Sequence, residues 1–156
     1  MSTYRLLLAG AVALALLAVG LQLARLHAPA PLVADPVRTP GVLNPDVTQQ
    51  TIGATICMRG WTKTVRPPTE YTNALKLRQM RAYRVTGPPS AFQEDHLISL
   101  ELGGHPTDPR NLWPEPYPRA ARVDLMENQL NAKVCSGVLS LAAAQVREST
   151  IKHTDG

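Results

Sequence analysis

Between Arg5 and Arg25 the chain runs through 19 residues in which Gln22 is the only strongly polar side chain. A run so long and so apolar is an export signal or a membrane-anchoring helix over residues 1–30, not the face of a surface helix. Ala28-Pro29-Ala30 has the small-x-small form of a cleavage site, but Pro31 follows it directly, so cleaved signal and retained anchor both stay open. Arg5 and the amino terminus outweigh Arg25 and place the remainder of the chain outside the cytoplasm: periplasmic, secreted, or tethered by the N-terminal helix. Residues 31–43 are rich in proline and show no helical period, which reads as a linker. The folded domain is expected over 44–150.

Within that domain the pattern changes several times. Asn44-Pro45-Asp46 has the form of a helix start, with Asn44 as cap and a short helix running toward Cys57. GWTKTVRPP (60–68) is β-branched and aromatic before a double proline and is expected to be extended. TNALKLRQMRAY (72–83) is built from helix formers, and Gly87-Pro88-Pro89 closes it. Phe92 to Leu102 reads as a strand, with Glu94 and Glu101 on its solvent side. Gly103-Gly104 is a sharp turn, His105 to Arg110 a polar loop, and Asn111-Leu112-Trp113 a return strand. In RAARVDLMENQLNAKVC (119–135), Val123, Met126, Leu130 and Val134 form an apolar stripe at helical spacing. Asp124, Glu127, Asn128 and Asn131 follow the same rule on a separate face. Ser140 caps a last helix, LAAAQVRE, and the terminal KHTDG lacks the pattern of a packed helix end, so His153 falls in a frayed tail. The sum is an α+β fold, a hairpin followed by a helix with flanking helices, preceded by an apolar N-terminal helix.

Composition adds two facts. Cys57 and Cys135 are the only cysteines, and outside the cytoplasm an even count favours a disulfide between them. Closing their 78-residue loop contributes about 4 kcal/mol on a chain-entropy estimate. Net charge is +4, but it is divided along the chain: residues 57–90 hold seven basic residues against Glu70 alone, whereas 91–156 hold six basic and nine acidic. A polyanion held by the first stretch and a divalent cation held by the second account for this division. Arg78, Arg81 and Arg84 follow an i, i+3, i+6 track on the helix before the hairpin, and Arg110 lies in the hairpin loop. These four are the candidate nucleic-acid contacts, with Lys63 and Arg66 as the next place to look. No motif for a small-molecule cofactor is evident.

Asp95-His96, Gly103-Gly104, Asp108 and Asn111-Leu112, in that order and followed by a helix, resemble the HNH nuclease motif, a ββα-metal finger. More closely, GWTKTVRPP, EDHLISLELGG, DPRNLWPEP and VCSG resemble a group of small, exported, largely uncharacterised bacterial proteins of HNH type, over roughly residues 44 to 145. The resemblance implies a ββα-metal core. It implies that His96 is the general base that takes a proton from water, that Asp95 is a metal ligand, and that Asn111 bridges the loop and orients the base. It also implies a further ligand on the helix, where the family carries histidine or asparagine. Here that helix has no histidine, and Asn128, then Glu127, then Asp124 are the available groups. Oxygen ligands suit one hard divalent ion, Mg²⁺ or Mn²⁺. The expected activity is metal-dependent phosphodiester hydrolysis on DNA or RNA, with little sequence specificity because no groove-reading element appears. The competing expectations are a catalytically inactive HNH-fold envelope module that binds an anionic polymer or a protein partner, and a membrane-tethered component of an export system. His105 reads as a loop residue, and Trp61 and Trp113 as core residues before base-stacking ones.

Overall fold

The computed structural model describes residue 16 and residues 32–155. The apolar N-terminal segment therefore lies, Leu16 excepted, outside the described residues. Among those described, no helix is long and apolar enough to cross a membrane.

Phe92–His96 (β1) and Leu112–Pro116 (β2) pair antiparallel, with Phe92 opposite Pro116 and His96 opposite Leu112. β1 is shorter than the expected strand to Leu102. After His96 the chain turns inward, and Leu100–Leu102 forms a 3-10 turn. Leu97, Ile98, Leu100 and Leu102 are all buried there, so their hydrophobicity reflects core packing in an irregular segment. β2 runs two prolines further than expected, since in a two-stranded sheet a residue without N–H is tolerated on an outward-facing edge.

Among the described residues four helices pack on the hairpin and on the 3-10 turn that follows β1. Trp61–Val65 (α1) replaces the expected extended segment. Pro67-Pro68 forces only Arg66 into extended backbone, while Gly60 at φ +86° starts the helix and Trp61 packs against the core. Thr69–Ala82 (α2) buries Leu75 and Met80 and packs on both strands. Arg119–Cys135 (α3) matches the expected span end to end. It lays Val123, Leu130 and Val134 against the 3-10 turn, the hairpin and the last helix, Leu141–Thr154 (α4). The core gathers Val47, Ile56, Ile98, Leu102, Leu130 and Val134, with a second cluster of Ala34, Leu97 and Trp113.

Three further expectations are corrected. The proline-rich stretch from Leu32 is not a free linker but part of the same compact unit. Ala34 and Thr39 are buried, the Ala34 N–H donates to the Lys152 carbonyl at 2.9 Å, and Leu43 bridges Gly104. Proline removes regular structure without removing packing. Asn44 does not cap a helix: its Oδ1 accepts from the Asp46 N–H at 3.0 Å in a local turn, and only Ile52–Ala54 forms a 3-10 turn before Cys57. Residues 152–154 continue the last helix and do not form a frayed tail. With Ser140 Oγ capping the Ala143 N–H, α4 runs to Thr154, Lys152 is wholly buried, and His153 Nε2 lies 3.0 Å from the Thr39 carbonyl.

Cys57 and Cys135 are joined in a disulfide. It ties the segment entering α1 to the end of α3.

Candidate metal centre

The turn after β1 sets the frame. Gly103 adopts φ +79°, and a side chain on Gly104 would lie 1.7 Å from the Ile98 carbonyl oxygen, so the pair meets one conformational and one spatial demand. Asn111 occupies the space that Gly104 leaves. Its Oδ1 accepts from the Ile98 N–H at 3.0 Å, and its Nδ2 donates to the carbonyls of Ile98 and His105, both at 3.0 Å. Wholly buried, it staples the hairpin turn to the loop.

That loop presents the Pro106 carbonyl to His96 Nε2 at 2.9 Å. A carbonyl only accepts, so Nε2 carries the proton and Nδ1 keeps a lone pair. Nδ1 has no hydrogen-bond partner among the described residues. Burial, the largest influence, lowers the His96 pKa below its ordinary value of 6.5, so the ring is neutral at pH 7.

His96 opens onto a cavity of about 270 Å³ that is also lined by Asp95, Asp124, Glu127, Asn128 and Arg66. Residues 124, 127 and 128 reach it from one face of α3. Asp95, Asp124 and Glu127 each offer an oxygen, and these atoms lie within 4.8 Å of one another. Oxygens bound to one ion at roughly 2.0–2.6 Å are at most about 5 Å apart, so the donor set fits a single hard cation. Asn128 stands beside them with its Nδ2 tied to the Asp124 carbonyl at 2.7 Å. Arg66 enters from the extended residue after α1 and is exposed at the cavity.

Burial raises the carboxyl pKa of both Asp124 and Glu127, and the Asp95 charge adds to it; for Glu127 the rise is large despite the opposing pull of Lys152. The ionised form of both acids is thus disfavoured unless further positive charge stands beside them. Behind them lies a residue that sequence reading missed. Lys152 Nζ reaches Asp95 Oδ2 at 2.7 Å, Glu127 Oε1 at 2.6 Å, the His96 carbonyl at 2.5 Å and Glu148 Oε1 at 3.4 Å. Burial works against its charge, yet the three carboxylates hold its pKa above the ordinary lysine value. Glu148, itself buried with a raised pKa, accepts from the Ser99 N–H at 2.9 Å. A signal was available: Leu141, Ala144, Glu148 and Lys152 form one buried stripe at helical spacing, so two charges continue an apolar face.

The other candidate residues stand apart. Arg78 and Arg81 are exposed on α2 and do not line the cavity. Arg84 falls beyond the end of α2 at φ +54°, which breaks the expected helical track of three. Arg110 is exposed, with its guanidinium engaged by Asp108 at 2.6 and 3.0 Å. Glu94 does not face solvent as expected. Both its carboxylate oxygens are buried without a partner, and burial pushes its pKa up to about 8 against the pull of Lys76. Trp113 is fully buried in the core.

Comparison of the chain with family models, with curated proteins and with solved structures finds no match.

Proposed function

We propose that this chain is a metal-dependent phosphodiester hydrolase of the HNH, ββα-metal type, acting on DNA or RNA with little sequence preference. One observation carries the reading: Asp95, Asp124 and Glu127 converge within 4.8 Å beside a neutral His96 in a polar cavity. Asp95, Asp124 and Glu127, with Asn128 alongside, would hold the ion. A bound Mg²⁺ or Mn²⁺ supplies positive charge against the oxygens of a phosphodiester at the point where negative charge accumulates.

The chain's own groups do the rest. His96 Nδ1 accepts the proton of a water that attacks phosphorus as the P–O bond to the leaving ester oxygen breaks, and the Pro106 carbonyl keeps the ring in the tautomer that allows it. Asn111 acts through the loop that carries His105 and Pro106, so it orients the base without touching substrate. Arg66 offers its guanidinium to a phosphate at the cavity mouth, a reading of charge and not of base sequence. The disulfide supports a site of action outside the cytoplasm, in an oxidising compartment.

A second reading has an observation in its favour. Lys152 already pairs with two of the three candidate ligands, Asp95 and Glu127, and so meets part of their charge without an ion, which suits an inactive module that keeps the fold to bind an anionic polymer or a protein. Supercoiled plasmid and single-stranded RNA, incubated with the oxidised protein, separate the two. Cleavage in Mg²⁺ or Mn²⁺ that chelator abolishes supports the hydrolase. Intact substrate at every ion concentration, with folded protein, rejects it.

A further inference from the structure

We propose that Lys152 is a positioning residue of the metal centre, an ammonium that braces Asp95 and Glu127 from the protein interior. The inference rests on the metal-centre reading above. An ammonium has three N–H donors, and Lys152 finds three acceptors within 2.7 Å: Asp95 Oδ2, Glu127 Oε1 and the His96 carbonyl. With no exposure and every donor engaged, it has nothing to offer a substrate. Its role is exercised through the groups it holds.

Position decides against a stand-in for the ion. Asp95, Asp124 and Glu127 line the cavity, whereas Lys152 and Glu148 do not. The ammonium therefore lies behind the carboxylates and takes one oxygen from each of two of them, Asp95 Oδ2 and Glu127 Oε1, while Asp95 Oδ1 accepts from Gln93 Nε2 at 3.3 Å. Charge agrees, because Lys152 Nζ lies within 3.4 Å of three carboxyl groups and Asp124 adds a fourth acid beside the cavity, so acidic groups outnumber this one ammonium. The same Nζ binds the backbone of His96, so one atom sets the ligands from β1 and α3 and the neighbouring base in register. Hydrogen bonds to the outer oxygens of metal-binding carboxylates do this elsewhere, and their loss typically costs about 10–100-fold in metal affinity.

The test reads metal binding in the full-length, oxidised chain, not cleavage. Mn²⁺ titration followed by electron paramagnetic resonance should show one site in the wild type. Affinity should be about 10–100-fold weaker in Lys152→Met, with part of the loss recovered in Lys152→Arg. Because Lys152→Met leaves the carboxylates without their cation and can fail to fold, a second measurement uses the wild type. In ¹⁵N-lysine-labelled protein, the Lys152 ammonium should give an exchange-protected signal that shifts on Mg²⁺ addition and stays protected. Wild-type or tighter Mn²⁺ binding in Lys152→Met, loss of the protected signal on Mg²⁺ addition, or no ion bound by the wild type would each overturn the proposal. Should these results hold while no phosphodiester is cleaved, the hydrolase reading fails and the role of Lys152 stands.

Discussion

The cavity between β1 and α3 and the outer face of α2 both carry several charges, and they use them in opposite ways. At and behind the cavity Asp95, Glu127, Glu148 and Lys152 are buried; Lys152 donates short hydrogen bonds to Asp95 and Glu127 and forms an ion pair with Glu148 at 3.4 Å. On α2, Arg78 and Arg81 project into solvent. Where water is excluded, a unit charge acts strongly on its neighbours, and removing one partner of a buried pair is costly. In solvent the same charge is screened within about 8–10 Å at physiological salt and contributes little to stability. Burial, not the count of charged residues, separates a group that determines local chemistry from one that sets only long-range attraction.

The sharpest way to break this comparison is to remove the base. His96→Ala should lower cleavage by roughly 10²- to 10⁴-fold with secondary structure and nucleic-acid affinity retained. Unchanged turnover would leave the cavity as a structural feature only. Next comes the tie between the cavity's surroundings. Because the Cys57–Cys135 bond closes a 78-residue loop, Cys57→Ser should lower stability by up to about 4 kcal/mol in urea titration. A loss below one-tenth of that would mean the hairpin, α1 and α3 hold together without it.

Glu94 tests burial away from the carboxylate cluster's ammonium. With a pKa raised from 4.5 to about 8, the native state keeps a proton that the unfolded chain has released, so stability falls as pH rises across that window. Glu94→Gln removes the penalty. It should stabilise the protein by about 1–3 kcal/mol above pH 8 and have little effect below pH 4.5. Equal effects at both ends, read from paired melts, would show that the carboxylate is not desolvated. The smallest effect belongs to α2. Replacing Arg78, Arg81 and Arg84 by glutamine should leave stability unchanged and lower the log–log salt slope of nucleic-acid binding by roughly two to three units, for any sequence alike. An unaltered slope would mark these arginines as a solvated face and direct attention to Arg66 at the cavity mouth.

How much was legible in the chain varies with the range of the forces involved. α3 was readable to its ends because its apolar stripe, its polar face and Gly137 beyond it are local signals that agree. So were the hairpin and its glycine pair, where backbone geometry alone restricts the residue type. The pairing of Cys57 with Cys135 followed from there being no other partner. The α+β class and the face of α3 that bears Asp124, Glu127 and Asn128 were therefore properties of the sequence itself. Tertiary packing decided the remainder. GWTKTV has strand propensity but folds as α1 because Trp61 is drawn onto the core, and an apolar run such as Leu97 to Leu102 reads the same whether it is strand or turn. The proline-rich segment found its hydrogen bonds with the Lys152 carbonyl and with the hairpin loop, partners more than 60 residues away in the chain. Lys152 itself lies 57 residues from Asp95 and 25 from Glu127. No local pattern encodes a meeting of an ammonium with carboxylates from two other elements, because its energy arises only when folding removes the water between them.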